Sequence, residues 1–168
     1  MDMYEFAMKM ELDGQEFYER QAAATQDKQL KEILLSLAEE EKNHYDIFKQ
    51  LRDNQVASIG ELATGNDTLN KIKNIFVEMS QTPEGTSFGE DAIAAWTEAL
   101  QIEEKSVKFY SEKAHAETDA EKKCILEKIA DEERNHIHMI DGVLTYLKFP
   151  DAFAESAQFK NFQSLEGH

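Results

Sequence analysis

The strongest constraint on the fold is an internal repeat with a spacing of 92 residues. The repeated unit contains an isolated Glu followed by a Glu-x-x-His motif: Glu11, Glu41 and His44 in the first half, and Glu103, Glu133 and His136 in the second. Many other positions also agree at this spacing, and no gap is needed. The sequence therefore predicts a duplicated structural unit.

Each repeat has the composition and periodicity of a helical hairpin. The chain contains only two prolines and seven glycines, and it is rich in residues that favour helices. We predict four long helices, at residues 2–25, 28–54, 88–116 and 119–147. Asp27 and Asp119 are predicted to cap the second and fourth helices, because an Asp side chain can accept hydrogen bonds from free backbone amides.

A long segment, residues 55–87, joins the two hairpins, and residues 67–80 within it are predicted to form a short amphipathic helix. Adjacent antiparallel helices need only a few connecting residues. A segment of this length can run back along the bundle, so the second and third helices are expected to be parallel. The predicted fold class is all-α: a four-helix bundle with one long crossover between helices 2 and 3, as in ferritin-like folds.

The length of the chain, 168 residues, suits a single domain. We assign residues 1–149 to the bundle, with repeat halves at about 2–54 and 88–147, and residues 150–168 to a C-terminal tail. The last residues of the tail resemble the start of a purification tag, so we expect no role for His168.

The Glu and His of each motif interrupt an apolar stripe whose positions recur at spacings of three and four residues. Such spacings place side chains on one face of a helix. The stripes are Leu30, Leu34, Leu37, Glu41, His44, Phe48 and Leu51 in the second helix, and Leu126, Ile129, Glu133, His136, Ile140, Val143 and Leu147 in the fourth. The isolated Glu residues lie on similar stripes: Ala7, Glu11, Gly14 and Tyr18, and Ala99, Glu103, Ser106 and Tyr110. We expect all these polar groups to face the bundle axis.

Four carboxylates in an apolar core require compensation. Burying unpaired charges costs more than the roughly 5–15 kcal/mol net stability of a domain, and no Lys or Arg lies in the stripes. Two divalent cations would neutralise four carboxylates, and this ligand set is that of di-iron and di-manganese bundles. The predicted metal ligands are Glu11, Glu41, His44, Glu103, Glu133 and His136. Such ligands accept Fe, Mn or Zn, so the sequence does not distinguish these ions.

Other polar residues near the motifs are given other roles. Tyr18 and Tyr110 have two interpretations, as core packing or as hydrogen-bond donors to a ligand carboxylate. His115 and His138 are not expected to bind metal, and Cys124 is expected to be half-buried. The acids that lie off the stripes are expected to be solvated: Glu39, Glu40, Asp131 and Glu132.

The net charge of −16 and the isoelectric point of about 4.6 argue against binding to nucleic acid or to anionic membranes. The single cysteine excludes an internal disulfide and a paired CxxC metal site. No apolar run approaches the roughly 18 residues of a membrane span. We therefore expect a soluble, cytoplasmic protein.

Two pairs of segments resemble the rubrerythrin-type branch of the ferritin-like di-iron proteins. They are AMKMELDGQEFY with LAEEEKNH, and ALQIEEKSVKFY with IADEERNH. The resemblance covers residues 1–147. It implies terminal metal ligation by Glu11 and Glu103, and bridging of two iron ions by Glu41 and Glu133. The histidine of each motif would bind one ion.

The resemblance also implies an activity. Members of this family bind non-haem iron and react with hydrogen peroxide or dioxygen, so we expect a peroxidase- or ferroxidase-like oxidoreductase with a role in oxidative stress. Full-length rubrerythrins carry a rubredoxin domain with CxxC motifs, which this chain lacks, so the expected electron donor is a separate protein such as a rubredoxin. They also carry a further Glu at the position of Ser106. The expected assembly is a homodimer.

The sequence leaves three functional hypotheses open. The first is the reduction of peroxide or dioxygen at a dimetal site. The second is iron storage, ferroxidase activity or another form of iron handling by the same ligands. The third is a metal-free structural or interaction bundle, which metal analysis of the purified protein would distinguish from the other two.

Overall fold

The structure is a computed structural model that describes residues 2–56 and 65–166. Every regular element in these two ranges is helical, which confirms the predicted all-α class. In chain order the elements are α1 (Met3–Ala24), α2 (Lys28–Arg52), α3 (Gly65–Met79), α4 (Glu90–Ala116), α5 (Ala120–Lys148), a 3-10 helix (Pro150–Glu155) and α6 (Ala157–Gln163). The four long helices begin and end within two residues of the predicted bounds.

The helices pair as the repeat predicts. α1 packs along α2 and α4 packs along α5, so each half of the repeat forms a helical hairpin. The hairpins meet where α2 contacts α5 and where α1 contacts α4. Residues 57–64 of the predicted crossover lie outside the described residues. The described part contains α3, which packs against α2 and α5.

Helix ends follow from local chemistry. The Asp27 carboxylate accepts a hydrogen bond from the backbone amide of Leu30 at 2.9 Å, and Asp119 accepts one from Lys122 at 3.0 Å. Both predicted N-caps are therefore confirmed. α2 ends two residues before the predicted position because Asn54 has a φ of 58°, in the left-handed region that commonly terminates helices.

Two apolar clusters fill the interior, and the buried polar residues lie between them along each long helix. The first cluster contains Leu34 at the start of α2 and Trp96 at the start of α4. The second contains Phe48 near the end of α2 and Tyr110 in the later part of α4. Both helices thus run from the first cluster to the second. α2 and α4 are parallel, as the long crossover predicts.

The C-terminal tail covers α3. The Phe76 ring of α3 lies 5.5 Å from the ring of Phe153 and 4.7 Å from that of Phe162, measured between centroids. Both tail rings are almost completely buried. α3 in turn lies close to α5, since a Cβ atom added at Gly142 would overlap the Phe76 ring. None of the helices in the described ranges is long and apolar enough to span a bilayer.

Candidate metal centre

The structure brings all six predicted ligands together in the middle of the bundle. Each of the four long helices contributes, because α1 and α4 supply one Glu each while α2 and α5 supply one Glu and one His each. None of the six residues is more than 3 % exposed. The heptad-like spacing that placed these residues on the apolar stripes thus predicted their burial correctly. That they bind metal stays a prediction.

The six residues form two overlapping groups of four, each with the geometry to hold one metal ion. One group is Glu11, Glu41, His44 and Glu133, and the other is Glu41, Glu103, Glu133 and His136. Within each group, one potential ligand atom per residue lies within 4.8 Å of all the others. Glu41 and Glu133 belong to both groups. This is the arrangement expected when two carboxylates bridge a pair of ions.

The two histidines face each other across the centre. Their rings are nearly parallel, at 20°, and their centroids are 6.1 Å apart. His44 Nδ1 lies 2.7 Å from Glu133 Oε1 and 3.6 Å from Glu11 Oε2. His136 Nδ1 lies 3.4 Å from Glu103 Oε1 and 3.7 Å from Glu41 Oε1. In both residues, Nδ1 is the nitrogen that lies near the carboxylates of the other candidate ligands.

Two buried tyrosines hold the isolated Glu residues in a reciprocal way. The Tyr18 hydroxyl of α1 donates a hydrogen bond to Glu103 Oε1 of α4 at 2.6 Å. The Tyr110 hydroxyl of α4 donates one to Glu11 Oε1 of α1 at 2.6 Å. Each bond engages one carboxylate oxygen, and the other oxygen, Oε2, has no hydrogen-bond partner. The structure supports the interpretation of both tyrosines as donors to ligand carboxylates.

The centre contains more buried polar atoms than its own residues can satisfy. Within the described ranges, the buried atoms without a hydrogen-bond partner include Glu11 Oε2, Glu41 Oε1, Glu103 Oε2, Glu133 Oε2, and both ring nitrogens of His136. A buried polar atom without a partner costs about 1–3 kcal/mol. All six atoms belong to residues of the two groups, and carboxylate oxygens and imidazole nitrogens are the types that bind Fe, Mn or Zn. The residues therefore fit a pair of metal ions.

Small side chains keep the centre open. A Cβ atom added at Gly14 would lie 3.3 Å from Glu41 Oε2, closer than an ordinary van der Waals contact. Ser106 stands at the repeat-equivalent position on α4, is 6 % exposed, and donates its hydroxyl hydrogen to the Ile102 carbonyl at 3.1 Å. Neither residue competes with the carboxylates for space or for ligand positions.

Without metal, the electrostatic interactions of the centre favour protonation of some candidate ligands, and a bound metal would displace those protons. Burial, together with the charges of Glu103 and Glu11, raises the pKa of Glu133 to about 8. Burial, with the charges of Glu11 and Glu133, raises the pKa of Glu41 well above its usual range. For Glu103, burial acts to raise the pKa, but the charge of His136, whose Nδ1 lies 3.4 Å from Glu103 Oε1, contributes to lowering it to about 2. The carboxylates thus share protons instead of all being ionised.

The histidines carry the balancing charge in this metal-free state. Burial alone lowers the pKa of His44, but the charge of Glu11 and hydrogen bonds to nearby carboxylates raise it well above its usual range. For His136, burial is likewise outweighed, chiefly by Glu103. Two imidazolium ions therefore replace part of the positive charge that metal ions would supply.

Two acids that were expected to be solvated are buried, which corrects the sequence prediction. Glu132 is 9 % exposed and Glu40 is 4 % exposed. Glu132 Oε2 lies 2.6 Å from His44 Nε2, and this hydrogen bond lowers the pKa of Glu132 against the opposing effect of its burial. Both residues flank the stripe, and Glu132 contacts His44 of α2. A stripe defined by the axis-facing positions alone misses them.

The remaining polar residues lie away from the centre. Glu39 and Asp131 are exposed, as predicted. His115 and His138 are exposed and belong to neither group of potential ligands. Cys124 was expected to be half-buried but is exposed, because it lies on the outer face of α5.

Comparison with known protein families identifies one match. The sequence model of the rubrerythrin family matches residues 2–144, which include all six candidate ligands. Comparisons with curated proteins and with solved structures found no match. The family assignment agrees with the bundle architecture and with the buried Glu and His residues at its centre. The chain belongs to the rubrerythrin family of ferritin-like di-iron carboxylate proteins.

Proposed function

We propose that this chain binds two transition-metal ions at the buried Glu/His centre and is an oxidoreductase that reduces peroxide or dioxygen. The observation that carries the proposal is the sharing of Glu41 and Glu133 by two complete groups of potential ligands. One ion alone would leave one Glu and one His outside its group: Glu103 and His136, or Glu11 and His44. Iron is the proposed metal, and manganese and zinc are the alternatives to exclude.

The charge balance supports a pair of ions. Four carboxylates carry four negative charges when all are ionised, and two divalent cations match them. The two histidines would then bind as neutral imidazoles, so the protons they hold in the metal-free state would be released. Binding of metal and release of protons are therefore coupled at this centre.

Each residue of the centre has a role that follows from its position. Glu11 and Glu103 would each hold one ion. The tyrosine hydroxyls engage Oε1 of these residues and leave Oε2 without a hydrogen-bond partner. Burial raises the pKa values of Tyr18 and Tyr110 well above their usual range, and the charge of the bonded Glu adds to the effect. The phenols therefore remain protonated donors across the physiological pH range.

Two ferrous ions in this centre would supply the two electrons that, with two protons, convert one molecule of hydrogen peroxide into two molecules of water. The surrounding apolar clusters exclude bulk water from the carboxylates. The two electrons must be returned after each turnover, and we propose that a separate electron donor protein, such as a rubredoxin, returns them.

Metal titration tests the proposal directly. Anaerobic addition of Fe(II) should saturate at two ions per chain, and a pulse of peroxide should then convert the bound iron to Fe(III), detected by its near-ultraviolet charge-transfer absorption. The Glu41→Ala and Glu133→Ala variants should lose at least one ion each. Glu39→Ala and Asp131→Ala are matched controls, since these acids are exposed near the same motifs. Full occupancy in the Glu41→Ala and Glu133→Ala variants would refute the ligand assignment.

A second candidate function, iron handling, is favoured by the net charge of −16, which attracts cations to the surface. In that case iron is the substrate, and the protein oxidises or stores it. Storage requires a hollow shell of many subunits. We propose a homodimer instead, and native mass measurement separates the two assemblies. Retention of many more than two iron ions per chain would favour storage.

A further inference from the structure

A largely apolar pocket opens on the bundle surface between α1, α2 and α4. Its volume is about 210 Å³. Most of its lining is apolar and includes Phe17, Trp96 and Ala95, and the polar residues Gln21, Thr25 and Asp91 also line it. Apolar cavities of about 150 Å³ remain dry and bind apolar guests such as xenon or benzene. The pocket is therefore large enough for a small apolar molecule.

One residue that lines the pocket, Ala99, lies close to the candidate metal centre. Ala99 is 1 % exposed and precedes Glu103 by four residues, so the two side chains lie one helical turn apart on the same face, with Cβ atoms about 5–6 Å apart. The Phe17 ring packs edge-on against Tyr18, at 5.6 Å between centroids, and the Tyr18 hydroxyl is bonded to Glu103. The free oxygen of Glu103, Oε2, has no hydrogen-bond partner.

The repeat shows that the fold does not require this pocket. At the repeat spacing, Ala95 and Trp96 correspond to Met3 and Tyr4. Met3 and Tyr4 are partly buried against the second apolar cluster, and the Lys122 ammonium lies 5.9 Å from the centre of the Tyr4 ring. A long side chain thus stands in the first half where the second half has the methyl group of Ala95. The opening is a property of one end of the bundle.

We propose that this pocket binds small apolar molecules and admits dioxygen, in preference to hydrogen peroxide, to the Glu103 side of the metal centre; the dioxygen route rests on the proposed function. Dioxygen is apolar and loses little on leaving water. Hydrogen peroxide has two donors and several acceptors. Apart from Gln21, Thr25 and Asp91, the residues that line the pocket are apolar and offer peroxide few partners, so its entry carries the cost of unsatisfied hydrogen bonds.

The first test uses metal-free protein and does not depend on activity. Trp96 is the single tryptophan of the chain and lines the pocket, so dioxygen that enters should quench its fluorescence. Ala95→Phe and the smaller Ala95→Leu fill the pocket, and Ala94→Phe is the matched control because Ala94 is exposed. We expect the dioxygen quenching constant to fall about threefold or more in both Ala95 variants and to stay unchanged in the control. Equal quenching in all variants would overturn the proposal.

The second test compares two oxidants with the iron-loaded protein. Ala95→Phe should slow Fe(II) oxidation by dioxygen about tenfold and change oxidation by peroxide less than about twofold, where tenfold corresponds to 1.36 kcal/mol in the barrier. Equal slowing with both oxidants would exclude a dioxygen-selective route. If the chain binds no iron, the proposed function fails, yet the quenching test still decides whether the pocket admits dioxygen. Quenching that weakens as protein concentration rises would assign the pocket to contact with a second copy and would also overturn the proposal.

Discussion

His44 Nε2 forms a hydrogen bond of 2.6 Å with Glu132 Oε2, and the other half of the repeat does not reproduce it. The equivalent pair is His136 and Glu40. Glu40 is buried, yet His136 Nε2 has no hydrogen-bond partner among the described residues. A carboxylate that accepts from the distal nitrogen of a histidine fixes the ring and increases its basicity as a ligand. The two halves of the centre therefore differ in how firmly their histidine is oriented for metal binding, since Glu132 fixes the ring of His44 but no described residue does so for His136 through Nε2.

The first prediction tests this inequality. Glu132→Ala should weaken binding of one of the two ions about 10- to 100-fold, the usual effect of losing such a partner. The repeat provides the control, since Glu40→Ala removes an acid of similar burial that makes no bond to His136. Titration with Co(II) or Zn(II) against a chromophoric chelator measures both affinities.

Glu132→Gln separates orientation from charge. An amide oxygen still accepts the His44 proton, so this variant should restore much of the affinity lost in Glu132→Ala. Equal effects of Glu132→Ala and Glu40→Ala would show instead that the loss arises from general disturbance of the core.

The second prediction concerns the tyrosine hydroxyls. Tyr18→Phe and Tyr110→Phe each remove a buried hydrogen bond to a carboxylate, and bonds to charged groups contribute about 1.5–3 kcal/mol. Urea unfolding of the metal-free protein should show a loss of that order in each variant. Tyr45→Phe is a suitable control because Tyr45 is only partly buried. No loss in either site variant would mean that the hydroxyls are not engaged in solution.

The third prediction is that one substitution stabilises the metal-free protein but weakens metal binding. Gly14→Ala should stabilise the metal-free protein by about 0.5–1 kcal/mol, since Ala is the better helix former. The new methyl group would lie 3.3 Å from Glu41 Oε2 and displace that carboxylate slightly. The melting temperature of the metal-free protein should therefore rise, while the affinity of the centre for metal should fall. Improved binding would contradict the placement of Glu41.

The fourth prediction is the pH dependence of the metal-free protein. Glu133 has a pKa raised from 4.5 to about 8, chiefly by burial and then by neighbouring carboxylates. A raised folded-state pKa contributes stability below the unfolded value, and this contribution is lost as the pH rises through about 8. The raised pKa values of Glu41 and of both histidines act in the same direction.

Glu103 has the opposite dependence. Its pKa is lowered to about 2, so its contribution is present above the unfolded value of 4.5 and is lost as the pH falls through about 2. Melting temperatures of the metal-free protein should therefore be highest near about pH 4.5, where the Glu103 contribution is complete and the loss from Glu133 and Glu41 begins, and fall toward pH 9. With saturating metal, the stabilisation should grow between about pH 5 and 8, because protons then compete less for the ligands. A metal-free protein that becomes more stable toward pH 9 would contradict the shared-proton description.

The fold was predictable because duplication and periodicity act together. The spacing of Leu30, Leu34 and Leu37 defines one face of a helix, and the repeat at Leu126 shows that the pattern is not accidental. The length of the crossover then requires α2 and α4 to be parallel. The packing of Phe153 and Phe162 on α3 was not predictable, because a short aromatic tail carries no periodicity that selects one surface.

The burial of the six candidate ligands was predictable, and the bonds from Tyr18 and Tyr110 were one of two interpretations, but the contact between Glu132 and His44 was not predicted. Glu41 and His44 interrupt an apolar stripe, so their burial follows from helix geometry. Glu132 lies one residue before Glu133 and therefore points about 100° away from it, where only tertiary packing decides exposure. One signal was present: Glu40 and Glu132 are identical at the repeat spacing.

The reciprocal bonds from Tyr18 to Glu103 and from Tyr110 to Glu11 carry a consequence for the origin of the bundle. Each hairpin holds three potential ligands and one tyrosine, and each tyrosine serves a Glu of the other hairpin. Two copies of a single ancestral hairpin, related by a two-fold axis, would make the same six-ligand centre and the same two bonds. Fusion of two such hairpins into one chain would remove the need for identical halves. The unmatched Glu132 contact and the pocket at Ala95 are differences that a symmetric pair of identical hairpins would not have.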